Sequence, residues 1–230
     1  MQFWSNLALD MQPRSVLELA CGTGRLAHLF LRENIDYTGL DIVPNFIKTA
    51  QNKLKNLPKS GSFICANIKK FDLNKKFDLI FIAFNSFLHL LTNKDIIECL
   101  SQVKLHMHQN THFIIDIFIP NPLFLYKPKN YKSKVLEFFD SEKKETIYVE
   151  ETNDYNPTTD INKINWFFST NQKANYEIRT FSMRMLFPST INQILIEQGF
   201  LINNQWGDYY KNKLTSDSKL QIYDLILNDK

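Results

Sequence analysis

The stretch Val16–Phe30, with the sequence VLELACGTGRLAHLF, decides the fold of this chain. Its apolar run ends at two glycines, Gly22 and Gly24, and apolar residues at helical spacing follow at once. Glycine lacks a Cβ atom, so the backbone of such a turn can adopt unusual φ angles and lie close to a ligand. The pattern predicts a strand, a glycine turn and a helix that contact a nucleotide-like ligand. A tight turn without any ligand would also account for the glycines.

Composition and length indicate a globular protein with a full core. The chain has 230 residues, of which 44% are hydrophobic and 22% are charged, and its net charge is +3. Such a length fits one large domain or a domain with an insertion. The small positive charge argues against a dedicated nucleic-acid-binding protein. We find neither an apolar run of about 18 residues nor the basic start and apolar middle of a signal peptide, so we expect no membrane span.

Cysteine usage points to a reducing compartment. The three cysteines, Cys21, Cys65 and Cys99, are widely spaced, which offers neither a disulfide framework nor a metal site. We therefore expect a cytoplasmic protein without a bound metal. The frequent lysine, asparagine, isoleucine and phenylalanine residues indicate an AT-rich genome and a bacterial source.

Strand and helix patterns alternate over the first half of the chain. Strands are predicted at residues 15–19, 36–40, 62–65, 77–84 and 111–119, and helices at residues 24–33, 44–57 and 95–107. The run FDLIFIAF, residues 77–84, is nearly continuous in apolar residues, as in a strand covered on both faces. Alternation of this kind predicts an α/β fold, Rossmann-like, with a mostly parallel sheet and helices on both faces.

The second half of the chain begins with a different pattern. Four strands joined by polar turns are predicted at residues 135–140, 146–155, 161–170 and 175–185. They predict an antiparallel meander inserted into the core, which gives a core domain of residues 1–119 and 185–230 and a cap of residues 120–184. A helix at 188–198, ended by Gly199, and strands at 200–209 and 219–227 complete the core sheet.

Two acidic residues narrow the choice of ligand. Asp41 ends the second predicted strand beside the glycine turn, where a carboxylate can accept hydrogen bonds from a ribose diol or cap the next helix. NAD and S-adenosylmethionine both contain that ribose. Glu18 favours the second, because a carboxylate before the turn repels a pyrophosphate but tolerates a sulfonium with an amino group. Asn67, after the third strand, can read an adenine edge.

On these residues the chain resembles class I S-adenosylmethionine-dependent methyltransferases of the small-molecule, N-methyltransferase-like branch. The matching segments are ELACGTG from Glu18 to Gly24, GLDIVP around Asp41, CANIKKFD around Asn67, FDLIFIAFNSFLHLLT from Phe77 to Thr92, and FPSTINQILIEQGF near the end. The resemblance covers the chain outside the meander. It implies a seven-stranded sheet with one antiparallel strand, S-adenosylmethionine as cofactor and S-adenosylhomocysteine as product. It also implies a small-molecule methyl acceptor, at an amine or a hydroxyl.

The resemblance assigns cofactor contacts by position. The implied cofactor-binding residues are Glu18, Ala20, Gly22, Gly24, Arg25, Asp41, Ile42, Asn67, Ile68 and Phe84. The glycine-turn residues and Glu18 are expected beside the methionine part, Asp41 at the ribose and Ile42 under the adenine. Asn67 and Ile68 are expected at the adenine edge, and the Phe84 carbonyl at the cofactor amine. Arg25 is either a ligand of the cofactor carboxylate or a solvated helix residue.

Two departures from the family pattern stand out. Position 67 is usually acidic in the family and is Asn67 here, whose side-chain oxygen could still accept a hydrogen bond from adenine N6. Relatives usually have a longer segment before the first strand that folds over the cofactor. Phe3 and Trp4 are the candidates for part of such a lid; an open site, or closure by a partner chain, are the alternatives.

Candidates for catalysis and substrate binding follow from position. His89, after the fourth strand, is the candidate general base, or else a residue bonded to a backbone group. Asn85 precedes it by four residues and could orient the acceptor if both lie on one helical turn. In the meander, Tyr148 and Trp166 could pack on a substrate and Arg179 could pair with an acid group. Ordinary sheet packing is the alternative for all three.

Rival functions remain open at this point. Lysines cluster at residues 69–76 and 127–134, so an RNA methyltransferase is one alternative. Against it, the segment AFNS lacks the Asn/Asp-Pro-Pro-aromatic motif of base-amine methyltransferases. A cofactor-binding regulatory protein without catalysis is another alternative, and an NAD oxidoreductase is disfavoured by Glu18. The sequence leaves a homodimer open.

Overall fold

The computed structural model describes residues 1–56 and 61–228, which form two compact units. The first unit contains the described residues of Met1–Phe87, Thr92–Ile119 and Phe187–Lys230. The second contains Leu88–Leu91 and Pro120–Leu186. That residues 1–119 and 185–230 form a core domain and residues 120–184 form a cap domain stays a prediction.

The helices and strands follow the predicted order. The strands are β1 Ser15–Leu19, β2 Asp36–Asp41, β3 Ser62–Cys65, β4 Phe77–Ile82, β5 Met107–Phe118, β6 Ser133–Asp140, β7 Glu145–Asn156, β8 Ile161–Ser169, β9 Glu177–Arg184, β10 Phe200–Trp206 and β11 Leu220–Leu227. The helices are α1 Gln2–Met11, α2 Ala27–Arg32, α3 Pro44–Leu54, α4 Asn93–Leu105, α5 Pro122–Leu125 and α6 Pro188–Glu197, with a 3₁₀ helix at Ser86–His89.

The first unit is built on a seven-stranded sheet with the order β3-β2-β1-β4-β5-β11-β10. β1 to β5 pair in parallel, and β11 is antiparallel to both of its neighbours. The central strands β1 and β4 are buried along almost their whole length, as strands covered on both faces must be. The predicted α/β, Rossmann-like fold with one antiparallel strand is confirmed.

An aromatic cluster fills the core of this unit beside α1. Trp4 is fully buried, and its ring lies 4.6 Å from that of Phe81 between centroids. Phe30 packs between Phe81 and Tyr37, at 5.4 Å and 6.2 Å. The sequence analysis missed α1 as a helix, although its buried residues Phe3, Trp4, Leu7 and Ala8 have helical spacing.

Several predicted boundaries were wrong for identifiable local reasons. The helix predicted from residue 24 begins at Ala27, because Gly22 and Gly24 have positive φ and belong to the turn. The strand predicted through residue 84 ends at Ile82. Phe84 has a positive φ of 54° and so belongs to the turn that follows the strand. α4 begins at Asn93, two residues before the predicted start, because Thr92 forms a capping box with Asp95. The predicted end of the second helix, Leu57, lies outside the described residues.

The second unit contains the other sheet, with the order β6-β7-β8-β9. All of its pairings are antiparallel, which confirms the predicted meander. Ile147, Val149 and Phe168 form a small apolar cluster within it. α5 is a short helix that the sequence analysis did not predict.

Replacing Gly24 by alanine tests the packing of the glycine turn on α3. A Cβ atom at Gly24 would lie 2.9 Å from Leu54 Cδ1 and 3.2 Å from Ala50 Cβ, at a φ of 72°. We expect Gly24→Ala to lower the free energy of unfolding by about 2–4 kcal/mol, through backbone strain and overpacking together. Gly199→Ala is the matched control, because it has a φ of 79° and open space around the added atom. Its expected loss is about 1 kcal/mol, and equal losses in urea titrations would contradict the packing argument.

Candidate functional site

Four parallel strands end together at one edge of the first unit's sheet. In register, Leu19 lies opposite Leu40 and Ile82, and Asp41 lies opposite Cys65. The loops that follow these strands therefore start side by side. Open α/β sheets bind ligands at this carboxyl edge, and the structure brings the predicted cofactor-binding residues of all four loops to it.

The two glycines of the turn have different surroundings. Ala20, Gly22 and Gly24 have φ values of 56°, 55° and 72°. A Cβ atom added to Gly22 would meet nothing within 4 Å, whereas one added to Gly24 would meet α3. Gly22 therefore leaves a free surface along the turn that a ligand can approach, and Gly24 lets the turn pack on its own protein. The sequence motif could not separate these two roles.

Asp41 fixes the turn to the end of β2. It is 7% exposed, and its Oδ2 accepts a hydrogen bond from the Gly22 amide at 2.8 Å. Its Oδ1 accepts one from the Val43 amide at 2.9 Å. The alternative role as an N-cap is wrong, because the N-cap of α3 is Val43 and no side chain caps it. Each carboxylate oxygen keeps a second lone pair, so hydroxyl donors of a ligand can still bind.

This arrangement is unsuited to a pyrophosphate. Dinucleotide-binding turns direct free backbone amides and a helix N-terminus at the phosphates. Here the Gly22 amide already donates to a carboxylate, and α2 begins three residues after Gly24. A second negative group would lie against the Asp41 carboxylate, which is electrostatically unfavourable.

Glu18 is a buried acid just before the turn. It is 4% exposed, and the Tyr37 hydroxyl donates a hydrogen bond to its Oε2. Burial raises the pKa of Glu18 from 4.5 to about 8, while the Tyr37 hydrogen bond and the Arg25 charge oppose that rise. A positively charged ligand group nearby would favour the ionised carboxylate. The site is therefore suited to a cation.

The residues expected at the adenine form an apolar surface with one polar turn. Ile42 is 62% exposed, directly after Asp41, and Ile68 is half-buried. An exposed isoleucine at this edge offers a flat contact for an aromatic ring. The Asn67 side-chain oxygen accepts a hydrogen bond from the Lys69 amide at 3.0 Å. That oxygen, which we expected to bind N6, is thus engaged in a local turn.

Arg25 is held at the site by an aromatic ring. Its guanidinium carbon lies 3.8 Å from the centroid of the Phe84 ring, although the side chain is exposed. Such a cation–π contact stabilises the observed position of the guanidinium by about 0.5–1 kcal/mol at an exposed site. Arg25 precedes α2, and its role as a ligand of the cofactor carboxylate stays a prediction.

The two catalytic candidates do not share a helical turn. Asn85 has a φ of 67° and precedes the 3₁₀ helix that ends at His89, so the expected alignment is wrong. The Asn85 side-chain oxygen accepts a hydrogen bond from the Phe118 amide at 2.7 Å. His89 is exposed, and its Nδ1 lies 3.2 Å from the Ser182 carbonyl oxygen. Because a carbonyl only accepts, Nδ1 donates and Nε2 carries the lone pair in this arrangement.

The three substrate candidates divide between the two faces of the second sheet. Trp166 lies opposite Arg179 in register, so these side chains share a face. Tyr148 lies opposite Ser169, three residues from Trp166, which places it on the other face. Both shared-face residues already have partners: the Trp166 indole donates to Glu151 at 2.9 Å, and Arg179 Nε donates to Glu177 at 2.6 Å.

Sequence reasoning missed three residues that bond to parts of the candidate site: Tyr37 near the start of β2, Asp116 on β5 and Tyr209 after β10. Tyr37 bonds Glu18, and Asp116 on β5 accepts hydrogen bonds from the Phe84 amide and the Tyr209 hydroxyl. The signal for Asp116 was its position as the acid in the apolar run FIIDIFI. Tyr37 and Tyr209 gave no such signal. Within residues 1–56 and 61–228, no group of three or more His, Cys, Asp or Glu residues is arranged to hold a metal ion.

Comparison with known proteins relates this chain to methyltransferases. The family described as methyltransferase domain matches residues 16–110. The demethylmenaquinone methyltransferase of Thermotoga maritima is 24% identical over 201 residues, covering 86% of this chain and 74% of that protein.

Solved structures of methyltransferases share the fold. An S-adenosylmethionine-dependent methyltransferase from Clostridium acetobutylicum aligns with a TM-score of 0.78 and 20% identity, over 99% of this chain and 92% of that one. A sugar N-methyltransferase from a Streptoalloteichus species aligns with a TM-score of 0.70 and 17% identity, over 99% and 86% of the two chains. At these identities the likeness establishes the fold.

The buried acid Glu18 makes stability depend on pH. Its pKa is higher in the folded chain than in the unfolded chain, so the folded state holds a proton that the unfolded state releases as pH rises from 4.5 towards 8. This group therefore lowers stability progressively across that window. Between about pH 5 and pH 8, the free energy of unfolding of Glu18→Gln should therefore fall by about 1–4 kcal/mol less than that of the native chain.

The control for this prediction is Glu98→Gln, at a partly exposed position of α4. Glu98 pairs only at 3.9 Å with Lys94, and its side chain is 42% exposed. Denaturant titrations at both pH values should give the same pH dependence for Glu98→Gln as for the native chain. An unchanged pH dependence in Glu18→Gln would contradict the buried-acid argument.

Proposed function

We propose that this protein methylates a small molecule at an amine or a hydroxyl, because residues 16–110 match the family described as methyltransferase domain and the chain shares its fold with a solved S-adenosylmethionine-dependent methyltransferase. The observation that carries the proposal is the carboxyl edge of the sheet, where Gly22, Asp41 and Glu18 combine a ligand-facing turn with two buried carboxyl groups. This combination suits a ligand with a ribose and positive charge.

The residues of the edge match the parts of S-adenosylmethionine. Asp41 would hold the ribose hydroxyls, and Ile42 and Ile68 would contact the adenine. Glu18 lies beside the turn where the positively charged methionine part would bind. Arg25, restrained on Phe84, would pair with the carboxylate.

Asn67 is proposed to contact the adenine edge through its side-chain amide. The turn bond from Lys69 holds the oxygen of that side chain, and therefore its orientation. An acid at this position would offer a second oxygen to N6. The Asn67 oxygen keeps its second lone pair for N6, and its NH₂ group can also donate to a ring-nitrogen acceptor of the adenine.

The cofactor supplies an activated methyl group on sulfur, so the chain mainly positions the reactants. A base is needed where the acceptor must lose a proton. We propose His89 for this role, because its bond to the Ser182 carbonyl leaves Nε2 as the basic nitrogen. Asn85 is proposed to orient the acceptor through its side-chain nitrogen, since its oxygen is bonded to Phe118.

The acceptor is proposed to be a small molecule. Two of the proteins that this chain resembles are named as a demethylmenaquinone methyltransferase and a sugar N-methyltransferase. Trp166 and Arg179, which share a face, remain the candidates for binding it; Tyr148 is a candidate for a separate contact. The cytoplasm is the proposed compartment, consistent with the free thiols of Cys21, Cys65 and Cys99. No described helix is long and apolar enough to cross a membrane.

An RNA acceptor is a weaker proposal on charge grounds. Five lysines of the two predicted clusters pair with acids: Lys69, Lys75, Lys129, Lys132 and Lys134. Their partners neutralise much of the positive potential that binding of a phosphate backbone requires. A regulatory protein that binds the cofactor without transferring methyl is the other alternative. Cofactor binding with no S-adenosylhomocysteine formed on any acceptor in a panel of amines, sugars and quinols would favour it.

Cofactor binding is tested by calorimetry with S-adenosylhomocysteine. We expect binding in the micromolar range and none with NAD; NAD binding alone would contradict the proposed function. Asp41→Ala should weaken binding by about 1–3 kcal/mol, the usual loss for a hydrogen bond to a charged group. Asp36→Ala is the matched control, at the other end of the same strand, exposed and paired with Lys75. The affinity of Asp36→Ala for S-adenosylhomocysteine should equal that of the native chain.

Replacing His89 by alanine tests the proposed base. With an acceptor that must lose a proton, His89→Ala should lower kcat by about 10²-fold or more and leave the S-adenosylhomocysteine affinity unchanged. His28→Ala is the control, a half-buried histidine on α2 whose Nδ1 is bonded to the Arg25 carbonyl. Full turnover by His89→Ala, measured as S-adenosylhomocysteine released, would show that His89 is not the base.

A further inference from the structure

Asp116 is a buried carboxyl group that the proposed function does not use. It lies on β5 and is 1% exposed. Its Oδ2 accepts two hydrogen bonds, from the Phe84 amide at 3.1 Å and from the Tyr209 hydroxyl at 2.9 Å. Burial raises the pKa of Asp116, and these two bonds oppose the rise. Burying an acid lowers the stability of a protein unless its surroundings compensate. The burial of Asp116 beside the site therefore suggests that it has a function there.

The backbone that Asp116 holds has an unfavourable conformation. Phe84 and Asn85 are consecutive residues with φ values of 54° and 67°, and neither is glycine. Asparagine adopts left-handed backbone fairly readily, so the unfavourable conformation lies mainly at Phe84, where it persists only if surrounding contacts enforce it. Without those contacts, we expect the two residues to relax towards ordinary φ values.

Hydrogen bonds to β5 fix the direction of the Phe84 carbonyl. The Asn85 amide donates to the Asp116 carbonyl oxygen at 3.0 Å. The Phe84 carbonyl belongs to that same peptide group, which is trans. Since N–H and C=O point in opposite directions across a trans peptide, the Phe84 carbonyl points away from β5. The Asp116 side chain fixes the preceding peptide as well, through the Phe84 amide.

Tyr209 connects this turn to other parts of the first unit. It follows β10, and its ring lies 5.6 Å from that of Phe3 on α1, between centroids. Its hydroxyl donates to the same Asp116 oxygen that accepts from Phe84. The hydroxyl therefore helps to hold that oxygen in place.

We propose that Asp116 and Tyr209 are positioning residues, which direct the Phe84 carbonyl towards the amino group of the bound cofactor. The inference rests on the proposed function, in which the Phe84 carbonyl accepts from that amino group. A positively charged amine needs acceptors in fixed positions. Asp116 acts through the backbone and does not itself contact the cofactor.

The experiment compares S-adenosylhomocysteine affinities of purified full-length variants by calorimetry. Asp116→Ala should weaken binding by at least about tenfold, because the left-handed turn loses its anchor. Asp116→Asn should stay within about threefold of the native affinity, because its amide oxygen can still accept from Phe84. Tyr209→Phe should weaken binding by about threefold to tenfold, as one hydrogen bond to Asp116 is lost.

The matched control is Asp224→Ala on the neighbouring strand β11. Asp224 is buried to a similar degree, at 4% exposure, and is bonded to His112, Asn203 and Asn204. Its replacement should lower the melting temperature and leave the affinity unchanged. This separates positioning at the site from general destabilisation.

Each outcome decides the inference. Native affinity in Asp116→Ala, or an equal loss in Asp116→Asn and Asp116→Ala, would overturn it, the second because the charge itself would then act on the ligand. If Asp116→Ala does not fold, Tyr209→Phe decides: weakened binding supports the inference, and unchanged binding overturns it. A native chain that binds no S-adenosylhomocysteine contradicts the proposed function, which is a separate result.

Discussion

The hydrogen bond from the Gly22 amide to the Asp41 carboxylate is the interaction on which the site depends. It joins the turn after β1 to the end of β2 at 2.8 Å, and the same carboxylate also binds the Val43 amide. Ala20, Gly22 and Gly24 all have positive φ, so this turn needs an external anchor to keep one shape. Asp41 provides the anchor and leaves lone pairs for a ligand. One side chain therefore shapes the loop and is also the group that we propose for binding the ribose.

Buried carboxyl groups give the site its electrostatic character. Glu18, Asp41 and Asp116 are each less than one-tenth exposed, and each is bonded to at least one donor. Hydrogen bonds offset only part of the cost of burying such groups, as the raised pKa of Glu18 indicates. A positively charged ligand would recover more of that cost. The chain thus concentrates buried carboxyl groups around the place that we propose for the sulfonium and the amine of the cofactor.

The second sheet has a more conventional physical basis. Its strands pair without crossovers, and Trp166, Phe168 and Phe181 pack edge to face on one side of it. Arg179 and Glu177 pair on its exposed surface. These contacts are the ordinary ones of an antiparallel sheet, in which aromatic rings pack on one another and charged side chains pair at the surface.

The sequence by itself determined the fold class, the alternation of strands and helices in the first half, the meander and the loops that carry the candidate site, whereas the strand order of the sheet came from the structure. Apolar periodicity is local, and residues such as Gly22, Asp41 and Asn67 follow strands at recognisable positions. Only the tertiary structure separated Gly22 from Gly24, since their difference lies in what surrounds them. It also placed Tyr148 on the other face of the second sheet from Trp166. Finally, it brought Tyr37, Asp116 and Tyr209 into contact with residues of the candidate site. Those contacts join residues far apart in the chain, and no local pattern encodes them.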